Sequence, residues 1–155
     1  MKKKQQANTK RITNRRARFD YELGDELVVG IALSGAETKS LRLGHGQLRG
    51  AYVTTTHEGE LLLINAAING TTGIPITESD QTRARKLLAK HREIDALIEA
   101  KQQGRTIVPL ELLTSGRFIK LRIAIGKGKK QYDKRQTLKK RDESRNIAAE
   151  LKRRA

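Results

Sequence analysis

From residue 118 to 125 apolar and polar side chains alternate, with Ile119, Leu121, Ile123 and Ile125 on one parity and Lys120, Arg122 and Ala124 on the other. A period of two belongs to a β-strand that turns one face to a core and the other to water or a ligand. Residues 106–113 precede it through Thr114-Ser115-Gly116 and read as a second strand, in which Pro109 requires an edge position or a bulge because it has no amide hydrogen for a ladder. Residues 19–21 and 27–33 read as strands on either side of a turn at Gly24-Asp25, and 51–56 with 60–65 as a hairpin closed by His57-Glu58-Gly59. Residues 84–89 give a further short strand. Two stretches change period. Ser34 and Glu37 stand at capping-box spacing ahead of a short helix that runs to about Leu43 and stops at Gly44. Ile94, Leu97 and Ile98 recur at i, i+3, i+4 across 91–103, a single apolar helical stripe ended by Gly104. Residues 66–82, with Asn69-Gly70-Thr71-Thr72-Gly73 and Pro75, read as a long polar loop, either mobile or functional. Short antiparallel strands with flanking helices predict a mostly-β fold, a small and partly open barrel.

Charge divides the chain differently. Residues 1–18 carry eight basic residues and no acid; residues 127–155 carry twelve basic residues and four acidic ones; residues 19–126 balance 13 against 13. The formal excess of +16 therefore lies wholly at the two ends. Leu, Ile, Val and Phe supply 33 of the 108 middle residues but four of the 47 terminal ones. The first density builds a core, while the second falls below the roughly 20% at which chains tend to stay disordered. The expected organisation is a basic N-terminal arm over 1–13, a globular body over 14–126, and a basic tail over 127–155, with both ends disordered in free solution. Two cationic arms on a neutral body suit a polyanion, and nucleic acid is the first candidate.

Several function classes are excluded or unsupported. With no cysteine there is no disulfide, Cys-ligated metal or thiol chemistry. No apolar run approaches the ~18 residues of a membrane span, and Met1 to Gln6 lacks a signal peptide's apolar stretch, so a cytoplasmic protein is expected. His45, His57 and His91 are scattered rather than at zinc-ligand spacing, Gly126-Lys127-Gly128-Lys129-Lys130 lacks the phosphate-loop pattern, and Ser34 has neither a nucleophile elbow nor a placed base. The reading is a non-enzymatic protein without metal or cofactor. Nothing hints at an oligomer, so a monomer is expected.

Four basic stretches remain: Asn14-Arg15-Arg16-Ala17, Gly35 to Arg42 (GAETKSLR), Arg83 to Leu88 (RARKLL), and Gly126 to Arg135 (GKGKKQYDKR). Singly, each reads as a solvated face or strand edge. In this order and spacing they closely resemble the SsrA-binding protein family, also called small protein B, over nearly the whole chain from about Asn14 to Arg145. The resemblance implies an OB-like β-barrel with flanking helices, one side of which binds the tRNA-like domain of transfer-messenger RNA. It places Asn14, Arg15, Arg16, Glu37, Lys39, Arg42, Arg83, Arg85, Lys86, Leu87 and Leu88 on that side, and Lys127, Lys129 and Lys130 in a basic lead into the tail. Tyr132, Asp133, Lys134 and Arg135 match the tail entrance, which in the family sits at the decoding centre, against 16S ribosomal RNA. The implied function is delivery of transfer-messenger RNA to stalled ribosomes, with the tail in the empty mRNA path and elongation factor Tu reached through the aminoacylated RNA.

The chemistry of these residues is compatible with that role. Arginine grips phosphate in a bidentate manner and lysine acts as a point charge. Glu37 has two readings, a helix cap or an acceptor facing base edges. Leu87 and Leu88 read either as core or as packing for an exposed base, and Tyr132 as a stacking platform. The tail has too little apolar surface for a stable isolated helix and is expected to become helical on ribosomal RNA. Phe19 stands where the family usually has His, Ala89 where a larger apolar residue is common, Leu113 where an aromatic is frequent, and Gly126 where Ala is frequent. These departures affect local packing and break no basic stretch. The competing reading is a basic ribosomal or ribosome-assembly protein that coats ribosomal RNA.

Overall fold

The computed structural model describes residues 11–154. In chain order the elements are β1 (Ile12–Thr13), α1 (Ala17–Asp20), β2 (Tyr21–Ile31), α2 (Gly35–Arg42), β3 (Gly46–Gln47), β4 (Tyr52–Thr55), β5 (Leu61–Ile64), β6 (Ala67–Ile68), α3 (Glu78–Gln81), β7 (Arg85–Leu88), α4 (His91–Gln102), β8 (Thr106–Leu113), β9 (Lys120–Gly128) and α5 (Gln131–Arg154). Antiparallel pairings run β8–β4–β5–β7–β2–β9 and return from β9 to β8, with β1 added on β8. The ring is thinnest at the β4–β8 seam, where a single residue pair, Val53 with Ile107, joins the strands. The barrel is tied there but not strictly closed, as the strand pattern predicts.

Parity explains the core. Val29 and Ile31 on β2, Leu61 and Leu63 on β5, Leu87 on β7, and Leu121 and Ile123 on β9 all point inward and are buried. Leu41 of α2 and Leu97 of α4 join the same cluster and cover the barrel from outside the sheet. The α4 stripe is the one the i, i+3, i+4 spacing predicts, and at its start the Glu93 carboxylate accepts from the Lys90 amide at 2.9 Å. The 56–60 turn closes the β4–β5 hairpin with Gly59 at φ 80°, a left-handed conformation that favours glycine.

Three features differ from the sequence reading. The Gly24-Asp25 pair makes no turn: β2 runs unbroken past it, and the ladder to β9 shifts register between Leu23 and Glu26. A bulge absorbs the extra residues and lets one long strand bend around the barrel, whereas the Gly-Asp composition alone mimics a turn. Phe19 lies in α1 rather than in a strand. The 66–82 segment is structured, with β6 paired to β3, a Thr71–Ile74 bridge, and α3. Pro109 does mark a bulge, since the β8–β9 register shifts between Pro109 and Glu111.

At the chain ends, the expected disorder of residues 1–10 lies outside the described residues. Ile12 and Thr13 pair with Leu112 and Glu111, so the sheet takes in the end of the stretch that charge assigns to the arm. At the other end β9 continues to Gly128, opposite Tyr21. The tail, expected to be disordered in free solution and helical on ribosomal RNA, is here one helix, α5, with no buried residue. Gln136 donates to the Tyr132 hydroxyl at 2.9 Å, Arg154 pairs with Glu150 at 3.1 Å, and Lys134 near its start pairs with Asp20 of α1 at 3.4 Å.

Candidate nucleic-acid interface

The GAETKSLR and RARKLL stretches meet beneath α2, but only part of each faces outward. Ser34 and Glu37 form the predicted capping box: the Glu37 amide donates to Ser34 Oγ at 3.2 Å, and Glu37 Oε2 accepts from the Ser34 amide at 3.1 Å. The same carboxylate accepts from Arg83 Nε at 2.7 Å and Nη2 at 2.8 Å, and from Arg85 Nε at 3.3 Å. Burial alone would push the Glu37 carboxyl up. The Arg83 hydrogen bonds, the Ser34 amide and the charges of Arg85 and Arg83 outweigh it and hold the group below its ordinary value. Glu37 is 1% exposed and Arg85 0% exposed.

Arg85 spends its remaining donors on backbone carbonyls: Ala66 at 2.7 Å, Arg83 at 3.2 Å, and Asp80 and Gln81 at 3.0 Å each. It therefore anchors both ends of the 66–82 segment. Ser40 Oγ adds a bond to the Asn69 carbonyl in the middle. Three of the residues that the sequence reading puts on the RNA side are thereby withdrawn from the surface. Arg85 and Glu37 form an internal ion pair, and Leu87, on the same parity of β7 as Arg85, is core. The alternation of RARKLL is the reason: in a strand, Arg85 and Leu87 share the inner face while Lys86 and Leu88 share the outer one.

The outer face of the sheet carries a surface that the sequence reading covers only in part. Gly30 stands directly between Lys120 on β9 and Leu88 on β7, and Val28 faces Arg122 in the next row but one. Leu88 is 55% exposed and Val28 43%. A Cβ built at Gly30 would lie 3.2 Å from Leu88 Cβ, so the glycine keeps a shallow trough between the lysine and the leucine. Lys86 reaches Glu60 at 2.8 Å, and Arg122 reaches Glu111 at 3.1 Å and Glu26 at 3.9 Å. Lys120 makes no ion pair among the described residues. Lys120 and Arg122 lie in the strand whose alternation is legible from sequence, and that period is the signal that could have assigned them. An apolar strip rimmed by cations matches what an RNA with exposed base or ribose surface and flanking phosphates presents.

Asn14, Arg15 and Arg16 lie elsewhere. Asn14 donates from Nδ2 to the Pro109 carbonyl at 3.0 Å and from its amide to the Leu110 carbonyl at 2.7 Å, holding the β8 bulge. Asn14 and Arg16 line a groove of about 550 Å³ over the β4–β8 seam, together with Arg49, Tyr52 and Lys101. In the ring that seam stands opposite the β7–β2 pair, so the predicted residues occupy two walls of the barrel rather than one.

Lys39 and Arg42 project from α2. Lys39 is exposed, whereas Arg42 folds over the β8–β9 loop and donates to the carbonyls of Thr114 (2.9 Å), Gly116 (3.1 Å) and Arg117 (2.9 Å). In the basic lead, Lys127 on β9 lies opposite Glu22 on β2, and Lys130 is exposed just ahead of α5. Lys129 acts as the root of the tail: its amide donates to the Asp20 carbonyl at 2.9 Å and its Nζ to the Arg18 carbonyl at 3.0 Å. Tyr132, Asp133 and Arg135 are exposed on the first turns of α5. Lys134 instead pairs with Asp20 at 3.4 Å. Lys134, Arg16 and Arg141 all lie about 6 Å from the centre of the Phe19 ring, at the reach of cation–π attraction. The aromatic that departs from the family's usual His thus gathers the cations that fasten α5 to α1.

Among the described residues no His, Cys, Asp and Glu cluster could hold a metal ion, and no helix is long and apolar enough to cross a membrane.

Comparison with known proteins agrees with the resemblance. The model of the family described as SmpB protein matches residues 11–153. The SsrA-binding protein of Gloeobacter violaceus is 39% identical over 143 residues, covering 92% of this chain and 93% of that one. The SsrA-binding protein of Bartonella henselae is 43% identical over 157 residues, 99% of each. A chain of the solved structure described as "tmRNA-SmpB: a journey to the center of the bacterial ribosome" superposes with a TM-score of 0.65 at 34% identity, covering 83% of this chain and 94% of that chain. With a family match across the whole sheet and both basic ends of the described chain, and relatives of this similarity over nearly full length, the chain belongs to the SmpB protein family.

Proposed function

We propose that this protein is a non-enzymatic RNA-binding factor of trans-translation, which binds the tRNA-like domain of transfer-messenger RNA and delivers it to stalled ribosomes. The observation that carries this reading is the outer sheet face, where Leu88 and Val28 lie exposed between Lys86, Lys120 and Arg122. Exposed aliphatic groups in a cationic frame suit a folded RNA better than a featureless polyanion, because phosphates supply affinity while base and ribose surfaces supply fit. Lys86 and Arg122 exchange their carboxylate partners for phosphate, and Lys120 needs no exchange. Lys39 and Arg42 extend the cationic frame along α2. The site is thus reduced from the sequence reading by Arg85, Glu37 and Leu87, which support it from inside.

The finer part of the proposal concerns the tail. Lys127, Lys129 and Lys130 lead the chain off the barrel, and Tyr132, Asp133, Lys134 and Arg135 open a helix that buries none of its residues and is exposed beyond its first turns. A cationic helix with no core of its own suits a channel walled by ribosomal RNA, and in this reading it fills the empty mRNA path beside the decoding centre. The protein acts in the cytoplasm as a monomer, and elongation factor Tu joins through the aminoacylated RNA.

Binding of the isolated tRNA-like domain, compared with ribosomal RNA fragments of equal length, tests the function directly. Tighter binding to the tRNA-like domain is expected; equal binding supports the basic ribosomal-protein reading instead. Replacing both Lys39 and Arg42 with Ala is expected to weaken binding and to flatten the salt dependence, by roughly 0.7–0.9 in log–log slope for each phosphate that the variant no longer neutralises. An unchanged slope moves the RNA off α2. Arg42→Ala alone is also expected to speed amide exchange in the 114–117 loop, whose carbonyls it holds.

A further inference from the structure

Phe118 is the most exposed large apolar side chain of the described body, at 71%. An aromatic ring left in water forgoes the hydrophobic stabilisation that its burial would contribute. The loop that carries it is nevertheless tightly held. Arg42 binds three parts of that loop through the carbonyls of Thr114, Gly116 and Arg117, and Thr114 on one side and Ile119 on the other are buried. Phe118 is thus displayed on a fixed support rather than on a loose tip.

Its position borders the sheet wall. Phe118 stands two residues ahead of Lys120, where β9 begins, and Ile119 between them is buried. The Arg117 guanidinium lies 5.5 Å from the ring centre. A firmly held aromatic ring beside a guanidinium and just ahead of Lys120 matches an unpaired nucleobase and its flanking phosphates: the ring stacks, Arg117 and Lys120 take the charge.

We propose that Phe118 is a stacking platform for an unpaired base of the bound RNA, an extension of the sheet wall that rests on the function proposed above. Base stacking of this kind is sequence-tolerant, so the platform contributes affinity and register rather than base identity.

The chain contains no tryptophan, which makes Phe118→Trp a single-fluorophore reporter at the platform itself. The experiment measures binding of the tRNA-like domain by the full chain, by Phe118→Ala and by Phe118→Trp, and adds polyphosphate as a polyanion without bases. Expected is a loss of roughly 5- to 150-fold in affinity for Phe118→Ala, equivalent to ~1–3 kcal/mol, with its salt slope unchanged. Phe118→Trp is expected to bind like the parent, its indole emission quenched by RNA and not by polyphosphate. Equal affinity of the parent and Phe118→Ala overturns the platform and leaves the function standing, as does equal quenching by polyphosphate. If the parent chain itself fails to prefer the tRNA-like domain, the function falls and the platform with it; the parent's own binding curve distinguishes the two failures.

Discussion

Ending the chain at Lys130 is expected to leave binding of the tRNA-like domain largely intact and to abolish rescue of a stalled ribosome. The expectation rests on where the residues lie. Every residue of the sheet wall lies on β2, β7 or β9, and β9 ends at Gly128. The removed helix α5 buries none of its residues, so its loss opens no cavity in the core. Its fastening to the body is the Lys134–Asp20 pair, a hydrogen bond from Lys129 Nζ to Thr137 Oγ1 at 3.3 Å and the cations around Phe19, partly solvated contacts of the kind worth ~0–1 kcal/mol each. Lys129, which anchors the tail root on Arg18 and Asp20, is retained. Rescue is read by peptide tagging on ribosomes stalled at the end of a truncated message, and binding by titration of the isolated RNA domain. Parallel loss of both activities contradicts the division of labour between barrel and tail.

Glu37→Ala is expected to destabilise the fold by roughly 3–5 kcal/mol, because removing one partner of a buried ion pair leaves the other charge uncompensated. Here the stranded group is Arg85, which has no accessible surface and whose other acceptors are all neutral carbonyls. Loss of the α2 capping bond and of the two Arg83 bonds adds to the effect. Since small domains are stable by only ~5–15 kcal/mol, much of the population then unfolds under mild denaturant. Urea unfolding measures it; a change below ~1 kcal/mol shows that the Glu37–Arg85 pair is dispensable. The pH dependence has a definite sign. The folded carboxyl titrates below its unfolded value, so the unfolded chain takes up the proton first as pH falls. The contribution of Glu37 is fully present above the ordinary carboxylate range and is lost as pH drops through its lowered folded pKa. Glu37→Gln should remove that part of the acid sensitivity.

Much of the architecture was legible because its causes are local. The Ser34–Glu37 spacing specifies a cap whatever surrounds it, Ile94, Leu97 and Ile98 specify one helical face, and the alternation from Ile119 to Ile125 specifies a strand with two different faces. Gly24-Asp25 was misleading for the opposite reason: the choice between a turn and a bulge is made by the ladder to β9, a partner a hundred residues away in the chain. The site divides along the same line. Lys39 and Lys86 lie at the surface as expected, and Leu88, which the sequence left open between core and surface, lies there too. Arg85 and Glu37 do not, because a basic run in sequence gives no warning that one of its members turns inward to an acid on another element. Parity supplied a usable signal, since Arg85 shares a strand face with Leu87. Phe118 and Val28 had no comparable signal, as an apolar residue in a strand pattern reads as core until its neighbours are placed. The separation of Asn14 to Arg16 from the Leu88 wall depends on ring order, which short-range pattern does not contain.

Recovery of the protein from cells under native conditions, with sequencing of the RNA that accompanies it, addresses the central claim most directly. The expected result is strong enrichment of one transfer-messenger RNA over its cellular abundance, with protection confined to its tRNA-like domain, and loss of that enrichment when Leu88 and Lys120 are replaced together by Glu. Ribosomal RNA recovered in proportion to its abundance, with no such transcript enriched, contradicts the claim.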